Sequence, residues 1–100
     1  MKQPKYPPYR VIAVDVDGTL HNAGRVNAAL VEYCRAKKAE GYRLMLWSAR
    51  GIEHAQRAVE RFDLSGLFDD VVGKPGYIID DLGWTWIKYT HVILKPGDPL

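Results

Sequence analysis

The segment DVDGT at residues 15–19 directly follows the apolar run VIAV at 11–14, and it holds the side chains best suited to chemistry. Residues i and i+2 of an extended segment point to the same side, roughly 6.5 Å apart, so a phosphoryl group fits between Asp15 and Asp17. One carboxylate can attack phosphorus while the other, when protonated, donates its proton to the departing oxygen. Gly18 lets the chain turn sharply after the acid. The spacing therefore predicts phosphoryl transfer in which one of these two aspartates is the nucleophile and the other the acid.

Three further polar residues stand where a parallel sheet would bring them to the same edge. Ser48 follows the apolar run at 43–47, Lys74 lies in a turn after a short apolar pair, and Asp80 follows the apolar run at 77–79. Open α/β sheets bind ligands beyond the carboxyl ends of their strands. Each residue alone also has a plain structural explanation, because every strand must stop somewhere. Their combination with the first segment is what indicates a site.

Clustered carboxylates at this edge need a counter-charge before a phosphate dianion can approach. Oxygen-only ligand sets suit Mg²⁺, and Asp80 would add a second carboxylate to that of Asp15. Such an ion would bridge protein and phosphate and align the group for in-line transfer. Lys74 would add a fixed positive charge, and the Ser48 hydroxyl could donate to a phosphoryl oxygen. These residues predict a magnesium-assisted phosphate site.

The elements that would position these residues alternate between strand and helix. Asn27 is a good helix N-cap and Gly41 a good helix stop. The pattern predicts strands at 11–14, 43–47, 71–72 and 77–79 and helices at 28–40 and 52–62. Such alternation predicts right-handed crossovers and a parallel sheet covered by helices on both sides. We expect a three-layer, Rossmann-like α/β fold with a small parallel sheet.

The chain of 100 residues leaves room for one domain, spanning 1–100, and for no separate lid domain. Three prolines among the first ten residues favour an extended N-terminal arm at 1–10. Residues 84–94 contain two tryptophans, a tyrosine and a β-branched run. A strand, a docking helix and an exposed patch all remain open for this last segment.

The composition, with 47% hydrophobic and 26% charged residues, is typical of globular proteins. The excess of 14 Lys and Arg over 12 Asp and Glu is too slight to indicate a nucleic-acid-binding surface. Cys34 is the single cysteine, which excludes an internal disulfide, and we expect it to pack on a helix face. No segment has the apolar length of a membrane span or of a secretory signal, so we expect a cytoplasmic protein without membrane contact.

Four motifs together resemble those of the haloacid dehalogenase-like hydrolases. They read VIAVDVDGTL, RLMLWS, GKPG and YIIDD, and they span residues 11–81. The resemblance implies a HAD-like fold and a phospho-aspartyl intermediate formed on Asp15. It implies that Asp17 is the general acid and base and that both aspartates bind Mg²⁺, Asp17 through its main-chain carbonyl.

The resemblance also assigns roles to the later motifs. Ser48 and Lys74 would hold the phosphoryl group, and we add Thr19 of the first motif to the phosphate-binding candidates. Asp80 would bind Mg²⁺, while Asp81 would bind the ion or its waters. Which of the two acids is the direct ligand stays open, although Asp80 is favoured because it comes first after the predicted strand.

Asp17 separates reaction types within this family, because members that cleave carbon–halogen bonds lack it. Its presence argues for a phosphatase or a phosphotransferase. The chain also resembles the small members without a cap, since only residues 20–26 separate the first motif from the first helix. An open site suits a macromolecular phosphate end, or a small phosphorylated substrate that a second copy of the chain encloses.

Several lesser candidates and rival functions remain. Arg50 could clamp a second anionic group of the substrate, and His21 could reach the substrate from the 20–26 segment. His54 and His91 have the character of ordinary surface or packing residues. The aromatic residues after the acidic pair could stack on a base or sugar, but core or dimer contacts are more typical; they are Trp84, Trp86 and Tyr89. The rival functions are a phosphate-binding or scaffold protein with little turnover and a sugar phosphotransferase.

Overall fold

The computed structural model describes residues 8–93, apart from the side chains of Lys88 and Tyr89. Its elements are β1 (Val11–Asp15), β2 (His21–Asn22), β3 (Arg25–Val26), α1 (Ala28–Ala39), β4 (Arg43–Ser48), α2 (Ile52–Arg61), β5 (Asp70–Gly73) and a 3₁₀ helix (Gly83–Tyr89). The predicted strands at 11–14, 43–47 and 71–72 are confirmed, as are both predicted helices. Each boundary lies within one residue of its expected position.

Strands β1, β4 and β5 form one parallel sheet in that order, with β4 in the centre. Asp15 pairs with Trp47, and Ser48 pairs with Gly73, so all three carboxyl ends meet at one edge. Both crossovers move in the same direction across the sheet. Right-handed crossovers then place α1 and α2 on the same face. The small α/β domain with a parallel sheet is therefore as predicted.

Burial differs sharply between the two faces of this sheet. Val14, Leu44 and Leu46 project to one face and are almost fully buried. On the opposite face Met45 is only half-buried and Ala13 is exposed. Within residues 8–93 the sheet and its helices thus make two layers, and the second helical layer of the prediction is not among them.

Helix α1 begins and packs as its sequence predicts. The Asn27 side chain accepts a hydrogen bond from the Leu30 amide at 3.1 Å, which satisfies one free donor of the first turn. Cys34 lies in the core, and burial raises the pKa of its thiol to about 11, so its packing role is confirmed. The core is formed by Val14, Val16, Leu20, Leu30, Cys34, Leu44, Leu46, Ala55, Ala58, Leu64, Leu67 and Phe68.

The short connection between β1 and α1 folds as a small hairpin, which the sequence did not indicate. In it β2 and β3 pair in antiparallel fashion, with His21 opposite Val26. Gly24 has a φ of 83° at the turn, a conformation that glycine adopts without strain. We call residues 20–26 the hairpin below. The hairpin lies beside α2, as the close approach of the Arg61 guanidinium to the Gly24 backbone shows.

The predicted strand at residues 77–79 is wrong, because these residues form no strand in the structure. Tyr77 is 96% exposed, and Ile79 is fully exposed. The Lys74 amide makes the last recorded backbone bond to β4, and Pro75 then has no amide to donate. An apolar run has strand propensity, but it forms a strand only when a partner strand satisfies its backbone. The segment leaves the sheet instead.

The two ends of the chain are only partly described. Residues 1–7 of the predicted arm lie outside the described residues, whereas Tyr9 is exposed, and the Arg10 guanidinium donates to the Glu40 carbonyl at 2.6 Å. The open question about residues 84–94 is answered in part by the 3₁₀ helix, in which Trp84 is exposed. Residue 94 lies outside the description. Among residues 8–93 no helix is long and apolar enough to cross a membrane.

Candidate active site

Asp15 and Lys74 meet at the carboxyl edge of the sheet. Asp15 is the last residue of β1, and Lys74 directly follows β5, so the width of β4 separates their backbones. The long Lys74 side chain crosses this distance above the Trp47 ring, with Nζ 5.4 Å from the ring centroid. It ends 3.0 Å from Asp15 Oδ1. The predicted nucleophile and the predicted phosphate-binding lysine are therefore in contact.

Trp47 is a positioning residue that the sequence prediction missed. It lies beside Asp15 in the register of the sheet, and its aromatic face supports the cation of Lys74. Cations are attracted to the faces of indole rings at this range. The sequence does hold a signal for Trp47, namely an aromatic residue one position before the predicted serine. Because Trp47 pairs with Asp15, its side chain projects to the same face of the sheet as that of Asp15.

Ser48 is 1% exposed and organises the turn that follows β4. Its Oγ accepts a hydrogen bond from the Arg50 amide at 3.0 Å, and its carbonyl accepts from the Lys74 amide at 2.8 Å. A hydroxyl that accepts one bond keeps its own proton to donate. Ser48 therefore joins the β4 turn to the lysine loop, and its hydroxyl retains the donor that phosphate binding requires.

Asp17 lies between two histidines, His21 and His54. The sequence indicates no clear functional role for either of them. His54 Nε2 lies 2.9 Å from Asp17 Oδ2, and His21 Nε2 lies 3.3 Å from Asp17 Oδ1. The Gly24 amide donates to His21 Nδ1 at 3.0 Å, so that nitrogen is an acceptor and Nε2 carries the hydrogen towards Asp17. The signal for His54 in the sequence is its position in the first turn of α2, the helix that follows Ser48. This end of the helix lies at the same edge of the sheet as Asp17.

These neighbours set the charge state of Asp17. Desolvation alone raises the pKa of its carboxyl group, but the hydrogen bond from His54 and the charges of His54 and Arg50 outweigh it. The pKa of Asp17 consequently lies below its ordinary value. The lowered pKa favours the carboxylate form of Asp17, which shares a hydrogen bond with His54 and lies close to His21.

The remaining phosphate-binding candidates also lie near the two aspartates. Thr19 Oγ1 donates a long hydrogen bond to Asp15 Oδ2 at 3.4 Å. Asp15 thus has one neighbour on each oxygen, Lys74 and Thr19. Arg50 occupies the exposed loop after Ser48, and it is close enough for its charge to lower the pKa of Asp17. The structure brings all six of the residues predicted for catalysis and phosphate binding to the same end of the sheet.

Asp80 and Asp81 are placed differently. Both are exposed in the turn after residues 77–79, and Asp80 Oδ1 accepts a hydrogen bond from the Leu82 amide at 2.8 Å. Within the described part of the chain, no three His, Cys, Asp or Glu side chains are grouped so that they could hold a metal ion. Magnesium sites commonly use only one or two carboxylates together with waters and substrate oxygens, so Mg²⁺ binding and the roles of Asp80 and Asp81 stay predictions.

No model of a known protein family, no curated protein and no solved structure matches this chain. The resemblance to the haloacid dehalogenase-like hydrolases consequently rests on the four short sequence motifs.

The arrangement has clear chemical capacities. Asp15 presents a carboxylate beside a fixed cation, and it is only one-third exposed. Asp17 presents a second carboxylate that is connected to two imidazoles capable of carrying protons. A nucleophile, a cation for an anionic group and a proton-transfer group are the components of acid–base-assisted phosphoryl transfer.

Proposed function

We propose that this protein is a phosphomonoester hydrolase of the haloacid dehalogenase-like type that works through an aspartyl-phosphate intermediate on Asp15. The observation that carries the proposal is the 3.0 Å contact between Lys74 Nζ and Asp15 Oδ1, made across a central strand. Asp17 stands two residues further on and has its own pair of proton-carrying partners. The sheet is then the core of a HAD-like Rossmann fold without a cap.

The proposed reaction has two steps. In the first, a carboxylate oxygen of Asp15 forms a bond to phosphorus while the bond to the leaving oxygen breaks. The leaving oxygen takes a proton from Asp17 and departs as an alcohol. In the second, water attacks the aspartyl phosphate, Asp17 takes the proton of that water, and Asp15 is restored as phosphate leaves. Lys74 and Ser48 hold the phosphoryl oxygens through both steps.

Magnesium dependence stays a prediction from the sequence. Within the described residues no three acidic, histidine or cysteine side chains are grouped, and no step above is assigned to a metal ion. Assays with Mg²⁺ and with EDTA measure the dependence directly.

The proposal is tested by phosphate release from 4-nitrophenyl phosphate, with Asp15→Asn as the test variant. We expect a fall in kcat of about 10³-fold or more, because the amide is a poor nucleophile. Asp63→Asn is the matched control, since Asp63 is exposed and its φ of 53° suits asparagine equally well. A well-folded wild-type protein without turnover on any phosphoester would contradict the proposal, and so would an Asp15→Asn variant as active as the control.

A phosphate-binding scaffold is the second candidate, and a specific observation favours it. The segment at 77–92 exposes large apolar side chains, among them Tyr77 at 96% and Trp84 at 73%. Exposed apolar patches of this kind mark interaction surfaces. A second copy of the chain on this surface would also enclose the open site. Partner or self-association that survives Asp15→Asn in a protein without turnover would favour this candidate.

A further inference from the structure

A cavity of about 500 Å³ lies between the hairpin and α2. This volume is within the range of sites that bind small molecules. Its lining is partly apolar, from Val16, Ala58 and Phe62, and partly cationic, from Arg57 and Arg61.

The cavity begins at the partners of Asp17. His21 and His54 both line it, and each places Nε2 within 3.3 Å of an Asp17 oxygen. In the proposed reaction Asp17 donates its proton to the leaving oxygen. The organic part of the substrate is attached to that oxygen, so it must extend away from the phosphoryl group on the Asp17 side. The cavity is the space that lies there.

The lining indicates what this organic part carries. Arg57 and Arg61 are four residues apart on α2, so they project from the same side of the helix as His54. Among the described residues neither arginine forms an ion pair. The Arg61 guanidinium lies 5.2 Å from the centroid of the Phe62 ring, which holds it over the apolar floor. Glu60 also lines the cavity, but the two guanidinium groups leave the net charge positive.

We propose that this cavity is a leaving-group subsite, and that it selects small phosphomonoesters whose alcohol part carries a second anionic group on an apolar frame. The frame would pack chiefly on Phe62, because Val16 has no exposed surface and Ala58 is 6% exposed, and the anion would bind Arg57 and Arg61. Guanidinium groups bind carboxylate and phosphate through charge-assisted, often bidentate, hydrogen bonds. This inference rests on the proposed hydrolase activity.

The test compares two substrates that differ in the remote charge and by one methyl group, namely 4-(carboxymethyl)phenyl phosphate and its methyl ester. We expect kcat/KM to be about tenfold higher for the charged substrate. In Arg57→Gln/Arg61→Gln the preference should disappear. Arg35→Gln, which removes an exposed arginine from α1, is the matched control and should keep the preference.

Binding of the leaving group alone separates the subsite from the hydrolase proposal. In an NMR titration of ¹⁵N-labelled protein, 4-hydroxyphenylacetate should shift the amides of α2 and the hairpin more strongly than its methyl ester does. Such binding without turnover of either phosphate ester would retain the cavity as an anion site and remove the hydrolase activity. Turnover of both esters at equal kcat/KM would overturn the subsite, as would a preference that persists in the double arginine variant or the absence of these amide shifts.

Discussion

Gly73 offers a direct test of how the sheet positions the site. It is the last residue of β5, it pairs with Ser48, and Lys74 follows it. A Cβ added to Gly73 would lie 3.2 Å from the Ile52 amide nitrogen and 3.3 Å from Gly51 Cα. Both neighbours are backbone atoms, which cannot rotate away as a side chain could. The substitution Gly73→Ala must therefore move β5 and the loop before α2 apart by a few tenths of an ångström.

The size of the effect follows from two opposing terms. Overpacking a well-packed site costs about 1–3 kcal/mol, and the small shift required here corresponds to the lower part of this range. Alanine also restricts the unfolded chain, which stabilises the fold by about 0.4–1 kcal/mol. Gly76→Ala changes the unfolded chain in the same way, but nothing lies within 4 Å of the added Cβ. We expect Gly73→Ala to be less stable than Gly76→Ala by about 1–2 kcal/mol.

Two measurements check this prediction. Urea denaturation compares the free energies of unfolding of the two variants, and phosphate release compares their kcat/KM values. Because catalytic groups must be held within about 0.5 Å, we expect Gly73→Ala to lower kcat/KM about tenfold. Gly76→Ala should stay close to wild type in both assays. Equal stability of the two variants would refute the claim that close backbone contact at Gly73 holds β5 against the loop before α2.

Three further predictions concern charge and core packing. Lys74→Met should lower kcat/KM for phosphate release about 10²–10³-fold. The free energy of unfolding should change by less than about 1 kcal/mol, because the Lys74–Asp15 ion pair is one-third exposed. Wild-type kinetics in this variant would exclude a role of Lys74 in phosphate binding. Leu46→Ala empties a fully buried position on the central strand and should cost about 3–5 kcal/mol in urea unfolding, against a small change for half-exposed Leu82→Ala. The pKa of Asp69 is lowered chiefly by the hydrogen bond from the Leu44 amide, so its stabilisation is present above the ordinary pKa of 3.8 and is lost as pH falls through the lower folded value. Urea midpoints between pH 5 and pH 2 should fall less steeply for Asp69→Asn, and an unchanged slope would contradict this assignment.

The sequence was sufficient for the part of the fold that local patterns define. Helix α2 has a clear apolar period, and α1 has a capping asparagine whose hydrogen bond is present. Asp15 ends a run of β-branched residues, and Lys74 follows another. Once the strands are parallel, geometry alone brings these two residues to the same edge. That half of the site could be predicted because it depends only on strand ends.

The other half depends on contacts that leave little trace in a local pattern. Residues 77–79 are as apolar as β1, yet they find no strand partner among the described residues and remain exposed. The contact of His54 with Asp17 could not be predicted from a local pattern, because it depends on how closely α2 lies to Asp17. The hairpin at 20–26 has strands of only two residues each, and such short strands leave no recognisable alternation in the sequence.

The partners of Asp17 also bear on the order of proton transfers in the proposed reaction. A general acid must hold a proton, yet His54, Arg50 and His21 lower the pKa of Asp17 and favour its ionised form. That form suits the second step, in which Asp17 accepts a proton from water. For the first step the substrate itself supplies a correction, because a phosphate dianion beside Asp17 raises the pKa of the carboxyl group. When Asp17 gives its proton to the leaving oxygen, it is left as a carboxylate, which the hydrogen bond with His54 stabilises. The substrate dianion therefore favours the protonated Asp17 that acid catalysis requires, and His54 favours the carboxylate that base catalysis requires.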